Sequence, residues 1–171
     1  MAAVSPNCTT GCNVQKTLAV NEEWLSVGNG STLCVSGTDK IFNLNINAGG
    51  GTIRICGTGI TLRNLNNNSN GSLIKIVVTL GATVTLPTFN FNFANNTLEN
   101  SGRVTFSENL ALPGKLFNYG TLKLIKYYNI NSLSNTISTH INEGEITVSG
   151  QMNINSKTVL TNLNSITTEF L

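Results

Sequence analysis

The chain reads as all-β, wound into a parallel β-helix, with a β-roll or an irregular sandwich as the competing shapes. Three observations carry this reading. A phrase recurs at an interval near 20 residues, each copy alternates apolar and polar residues, and turn formers separate the alternating runs. The phrase Asn100-Ser101-Gly102-Arg103-Val104-Thr105-Phe106 is followed, three residues on, by Leu110-Ala111-Leu112. It returns as Asn118-Tyr119-Gly120-Thr121-Leu122-Lys123-Leu124 with Tyr128-Asn129-Ile130, and as Asn142-Glu143-Gly144-Glu145-Ile146-Thr147-Val148 with Met152-Asn153-Ile154. A weaker copy opens at Asn162-Leu163-Asn164-Ser165-Ile166. The starts at 100, 118, 142 and 162 lie 18, 24 and 20 residues apart.

Within one copy, Val104 and Phe106 face one side of a strand and Arg103 and Thr105 the other. The preceding Asn-x-Gly supplies residues that tolerate a left-handed backbone at a sharp corner. The polar gap before Leu110 reads as a second corner, and Leu110–Leu112 as a second short strand. One copy is therefore one turn of a coil. A single turn cannot bury its apolar row, whereas turns stacked at roughly 4.8 Å can.

The earlier half fits the grammar less closely. Gly51-Thr52-Ile53-Arg54-Ile55, then Ile60-Thr61-Leu62, repeats it with one extra corner residue. Ile74, Ile76 and Val78 form a further row, followed by Thr83-Val84-Thr85-Leu86-Pro87. Phe89, Phe91 and Phe93 alternate with Asn90 and Asn92 as a strand with an aromatic row, read as core packing. The length suits one domain of about seven or eight coils. The expected boundaries are an N-terminal cap over residues 1–27 and a β-helix over 28–171.

The cap is expected because residues 1–27 lack the repeat and hold the sole tryptophan, Trp24, placed to plug the open end of the first coil. At the other end Leu171 stops inside an unfinished copy without a polar cap, so the β-helix is expected to be truncated from a longer parent. Met1-Ala2-Ala3-Val4 has neither the basic start nor the apolar core of a signal peptide, and Met1 reads as an added start. Four cysteines lie in the first third. Cys34 and Cys56 are about one period apart, which places them on neighbouring coils, and Cys8 and Cys12 are close enough to close a small loop. Of the three possible pairings, 8–12 with 34–56 is the expected one, with free buried thiols at Cys34 and Cys56 as the alternative. Disulfides imply an oxidising compartment.

Composition excludes several functions. Charged residues make up 11% with a net +2, so no nucleic-acid surface is implied, and no apolar run reaches the roughly 20 residues that span a bilayer. Cys8-x3-Cys12 is a loose spacing for zinc and the only histidine, His140, is remote, so no metal or cofactor is expected. Polysaccharide hydrolysis needs paired carboxylates and lyases need an acidic calcium site. The chain has one Asp and seven Glu; Glu143 and Glu145 flank Gly144 as a solvated corner, and His140 reads as a corner hydrogen-bonding residue. Gly49-Gly50-Gly51 leads into a strand, which is not a phosphate-binding loop. Ice binding requires unbroken outward Thr columns, but Arg103, Thr121, Glu145 and Thr105, Lys123, Thr147 are interrupted by charge.

The recurring Asn-x-Gly-x-Leu-x-Val phrase with cysteines near the start resembles the β-helical regions of large secreted adhesins, common in Bacteroidota that export through the type IX secretion system. The resemblance covers about residues 28–171. It implies a right-handed parallel β-helix with an N-terminal cap and a non-enzymatic role as an extracellular stalk or attachment scaffold. The family's C-terminal sorting domain is not among these residues. Expected partners are surface glycans or other cell-surface proteins, without nucleic acid or membrane insertion. The expected contact loops are the Asn-rich corners, at Asn67, Asn68 and Asn70 and at Asn95 and Asn96. The competing functions are a piece of a β-helical polysaccharide lyase or hydrolase and a phage or fibre attachment protein.

Overall fold

A computed structural model describes residues 8–68, 73–87, 96–111, 114–130, 137–155 and 157–169, which form a parallel β-solenoid of strands and turns. The first coil carries β1 (Val14–Thr17) and β2 (Glu23–Val27), the second β3 (Ser31–Ser36) and β4 (Ile41–Ile46). Next come β5 (Gly51–Ile55) with β6 (Ile60–Asn67), and β7 (Ile74–Val78) with β8 (Thr83–Leu86). Later coils have a third strand: β9 (Thr97–Asn100), β10 (Arg103–Phe106) and β11 (Leu110–Ala111), then β12 (Lys115–Asn118), β13 (Thr121–Leu124) and β14 (Tyr128–Ile130). The remaining strands are β15 (Ser138–Asn142), β16 (Glu145–Val148), β17 (Met152–Ile154), β18 (Thr158–Asn162) and β19 (Ser165–Thr168). Wall one stacks β1, β3, β5, β7, β9, β12, β15 and β18; wall two stacks β2, β4, β6, β8, β10, β13, β16 and β19; wall three stacks β11, β14 and β17.

Register follows the repeated phrase. Val84, Val104, Leu122, Ile146 and Ile166 are successive partners in wall two, and the first four are buried. Burying each such side chain contributes about 1.5–3 kcal/mol before the cost of ordering it. The earlier phrase is not equivalent to the later ones. Gly51–Ile55 lies in wall one and Ile60–Leu62 in wall two, whereas the alternating runs of the first three Asn-x-Gly copies lie in wall two and then wall three. Alternation marks an inward face without saying which wall carries it. The Phe89, Phe91 and Phe93 row lies outside the described residues.

The corner between walls one and two holds the later coils together. Asn100, Asn118, Asn142 and Asn162 end successive wall-one strands in register. The Asn100 amide donates to Asn118 Oδ1 at 2.7 Å, Asn118 to Asn142 at 2.6 Å and Asn142 to Asn162 at 2.7 Å. Each also donates to a carbonyl that opens a wall-two strand on the next coil: Thr121 at 3.0 Å, Glu145 at 3.1 Å and Ser165 at 3.0 Å. The first three asparagines are fully buried, and low local dielectric strengthens such a chain. This ladder continues the apolar column of Val35, Ile55 and Val78.

The glycines beside it have a different purpose from the expected one. Gly102, Gly120 and Gly144 do not adopt a left-handed backbone. A Cβ on Gly120 would collide with the Gly102 carbonyl, and one on Gly144 with the Gly120 carbonyl. Close approach of stacked backbones, not φ, requires glycine here.

The N-terminal region also departs from expectation. Val14–Thr17 and Glu23–Val27 are already paired strands, so coiling begins inside the stretch assigned to a cap. Trp24 is 50% exposed and does not plug the core, because the inward residues of its strand are Glu23, Leu25 and Val27. At this end Lys16 and Glu23, in register with Val35 and Phe42, form an ion pair at 2.5 Å, and Leu18 and Leu25 are the buried apolar residues of the first coil.

The cysteines are all oxidised, but the pairing is Cys8–Cys56 and Cys12–Cys34, with Cα separations of 5.9 and 5.8 Å. The expected 34–56 bridge fails on register. Cys34 lies beside Arg54, and Cys56 is two residues farther along the strand. Two residues along and one strand across give about 8 Å, beyond the roughly 7 Å limit for a disulfide. Residues 8–12 instead cross the outer face of wall one, where the Arg54 guanidinium donates to the Thr10 carbonyl at 2.7 Å.

Replacing Asn118 by Ala should orphan buried groups on two coils at about 1–3 kcal/mol each. Urea unfolding should show a lower midpoint at unchanged slope; an unaltered midpoint would mean the ladder contributes nothing. Non-reduced trypsin digestion should join peptide 1–16 to both 17–40 and 55–63, with fragmentation assigning Cys8 to Cys56. Peptide 1–16 released alone would contradict this connectivity.

Candidate functional site

The Asn-rich corners are divided by the structure. Asn67 and Asn68 are exposed at the end of β6, while Asn70 and Asn95 lie outside the described residues. Asn96 is fully buried and is not a contact residue. Its Oδ1 accepts from the Ile74 amide at 3.2 Å and its carbonyl accepts from the Lys115 amide at 2.8 Å, so it joins coils together. Before the corner, the Asn64 and Asn66 amides donate to Asn43 and Asn45 at 2.7 and 3.0 Å, a second ladder on wall two.

His140 is not at a corner. It points inward from β15, between Leu116 and Leu160 in register, and is fully buried. Its Nδ1 lies 2.5 Å from the Tyr128 hydroxyl on wall three, with the rings stacked at 5.8 Å. Burial pushes the Tyr128 phenol well above its usual range, so the hydroxyl keeps its proton and can donate it to Nδ1. Enclosed on all sides, the pair is a polar contact within the core.

Among the described residues a concave surface lies elsewhere. A groove of about 390 Å³ follows the corner between walls one and two, bounded by Leu80 and Tyr119 on one side and by Thr83, Arg103 and Thr121 on the other. Its floor includes Gly102 and Gly120. A smaller hollow of about 100 Å³ adjoins it over Thr85 and Thr105, and Arg103 borders both. Wall two positions the polar side: Thr83, Arg103, Thr121 and Glu145 are successive outward residues, next to a column of Thr61, Thr85, Thr105, Lys123 and Thr147. Among the described residues neither Arg103 nor Lys123 forms an ion pair, whereas Arg63 pairs with Glu22, Lys75 with Glu99 and Lys126 with Glu108. Burial, then the charges of Glu143 and Glu99, hold the Tyr119 phenol above its usual range. Arg103 supplies the positive charge that borders the groove.

Tyr119 was absent from the expected contacts. It occupies the variable position of Asn-x-Gly, where Ser101 and Glu143 stand in neighbouring copies. That position faces outward at the corner, so its variation was the available signal. Among the described residues no three of His, Cys, Asp and Glu gather where they could hold a metal ion, and no helix is long and apolar enough to cross a membrane. The groove offers a cation, hydroxyls and an aromatic face, a set suited to binding polar ligands. Comparison with protein-family models, curated proteins and solved structures finds no match.

Tyr128→Phe should lower stability by about 1–3 kcal/mol by leaving buried Nδ1 unsatisfied. Adding His140→Leu, which continues the leucine column, should recover most of the loss in the same unfolding experiment. A double variant no more stable than Tyr128→Phe would show that the hydrogen bond is not what stabilises the pair.

Proposed function

We propose that this chain is a non-catalytic attachment scaffold, a segment of a secreted surface adhesin of the kind exported by the type IX system in Bacteroidota. One observation carries the reading: apart from one shift between β4 and β6, the strands of both long walls pair in register from coil to coil, so outward side chains line up in columns along one axis. Such a scaffold suits many weak contacts acting together, to surface glycans or to other cell-surface proteins. Linked weak sites gain avidity of about 10²–10⁴ over one site. The two disulfides that fasten residues 8–12 to wall one agree with an oxidising, extracellular setting.

Dense arrays of the protein on a sensor surface should retain polysaccharides or glycan-coated vesicles much longer than sparse ones, and the polysaccharide should be recovered intact. New reducing ends or unsaturated sugar ends would overturn the reading in favour of a lyase or hydrolase. Retention that does not depend on array density would remove the multivalent basis of the proposal.

A further inference from the structure

We infer that the groove over Gly102 and Gly120 binds an acidic pyranose of the uronate class, with its carboxylate on the Arg103 guanidinium. This rests on the attachment reading and assigns it a ligand chemistry. Arg103 is the group that selects charge. It is exposed, lies where the groove meets the smaller hollow, and forms no ion pair among the described residues. A guanidinium fork donates two parallel hydrogen bonds to a carboxylate, a geometry that a lysine cannot supply. Lys123, diagonal to it on the adjacent strand, adds a second unpaired cation on the same face.

The remaining walls suit a sugar ring better than a free anion. Leu80 is 72% exposed and stands with Tyr119 on the opposite bank, an apolar and aromatic surface on which the C–H face of a pyranose can lie. Thr83 and Thr121 place hydroxyls on the strands either side of Arg103. The Thr83 oxygen accepts the Gly59 amide at 2.5 Å, which leaves its O–H to donate. Among the described residues Arg103 is the only cation bordering the groove, so the ligand is oriented with its carboxylate toward that bank. Glu145, one position beyond Thr121 in the Arg103 column, opposes an anionic ligand at longer range.

The test is isothermal titration of the full chain with trigalacturonate, its neutral methyl ester and sialyllactose. Trigalacturonate should bind at least tenfold more tightly than the ester and more tightly than sialyllactose, and its binding should weaken as salt is raised. Arg103→Gln should weaken it at least tenfold, Arg103→Lys less, and Glu145→Gln should strengthen it. Both residues are exposed, so the unfolding midpoint of all three variants should not move. Amide resonances of Gly102, Gly120 and Thr121 should shift on titration. Equal binding of acid and ester, or binding unaffected by Arg103→Gln, would overturn the assignment. Preference for sialyllactose would overturn the uronate class. Either result leaves the attachment reading standing if dense arrays still retain intact polysaccharide, whereas release of sugar ends would remove that reading itself.

Discussion

Backbone against backbone at the corner between walls one and two is the contact on which the later coils depend. Gly102, Gly120 and Gly144 stack so closely that a methyl group on one would meet a carbonyl of the coil before it. The buried amides of Asn100, Asn118 and Asn142 tie the same coils together from within. The two requirements act on residues two apart, which is why the phrase is Asn-x-Gly. A buried amide has two donors and an acceptor, and the ladder occupies all of them: one donor for the next Asn, one for a wall-two carbonyl, and the oxygen for the previous Asn. An apolar side chain there would remove the amide hydrogen bond that each of these wall-two carbonyls accepts.

This explains what was legible in the sequence. Where a residue type has one physical reason to recur, the period gives register directly, and Val104, Leu122 and Ile146 fall in one column as their spacing implies. The purpose of the glycine was misread because glycine answers two demands, positive φ and close approach, that look alike in sequence. Gly30 and Gly81 do take the left-handed conformation at other turns, while those of the phrase do not. The disulfides were misassigned for a related reason. A mean period places residues on neighbouring coils to within a few positions, but a disulfide demands the correct position along the strand. Between Cys34 and its neighbour Arg54 the coil advances 20 residues, not the 22 that separate Cys34 from Cys56.

Residues with dual character were the hardest to place. Asn suits solvated turns and buried ladders alike, so Asn96 and Asn68 look equivalent in sequence although one is buried and the other exposed. Trp24 is large and apolar, yet it lies outward because the alternation of Glu23, Leu25 and Val27 takes the inward positions. There the period of two outranks the hydrophobicity of one residue. His140 shows the converse. It takes a leucine position, and the core accepts it because Tyr128, on the wall-three strand just before β15, meets it with a hydrogen bond.

The groove follows from the constraint that fixes the corner. Residues that must lack a Cβ so that coils can stack also leave the corner low, with Leu80 and Tyr119 rising on one side and the Arg103 column on the other. Its floor cannot change without disturbing the stack, since any side chain at Gly102 or Gly120 meets the backbone of the coil before it. The bordering residues carry no such restriction. The middle residue of Asn-x-Gly and the first residue of each wall-two strand read Ser101 and Arg103, Tyr119 and Thr121, Glu143 and Glu145 in successive coils; of these Ser101 is buried and the others are partly or fully exposed. A stack built this way separates the invariant from the adjustable within a few residues. The ladder and glycines determine where a ligand can lie, and the side chains between them determine which one.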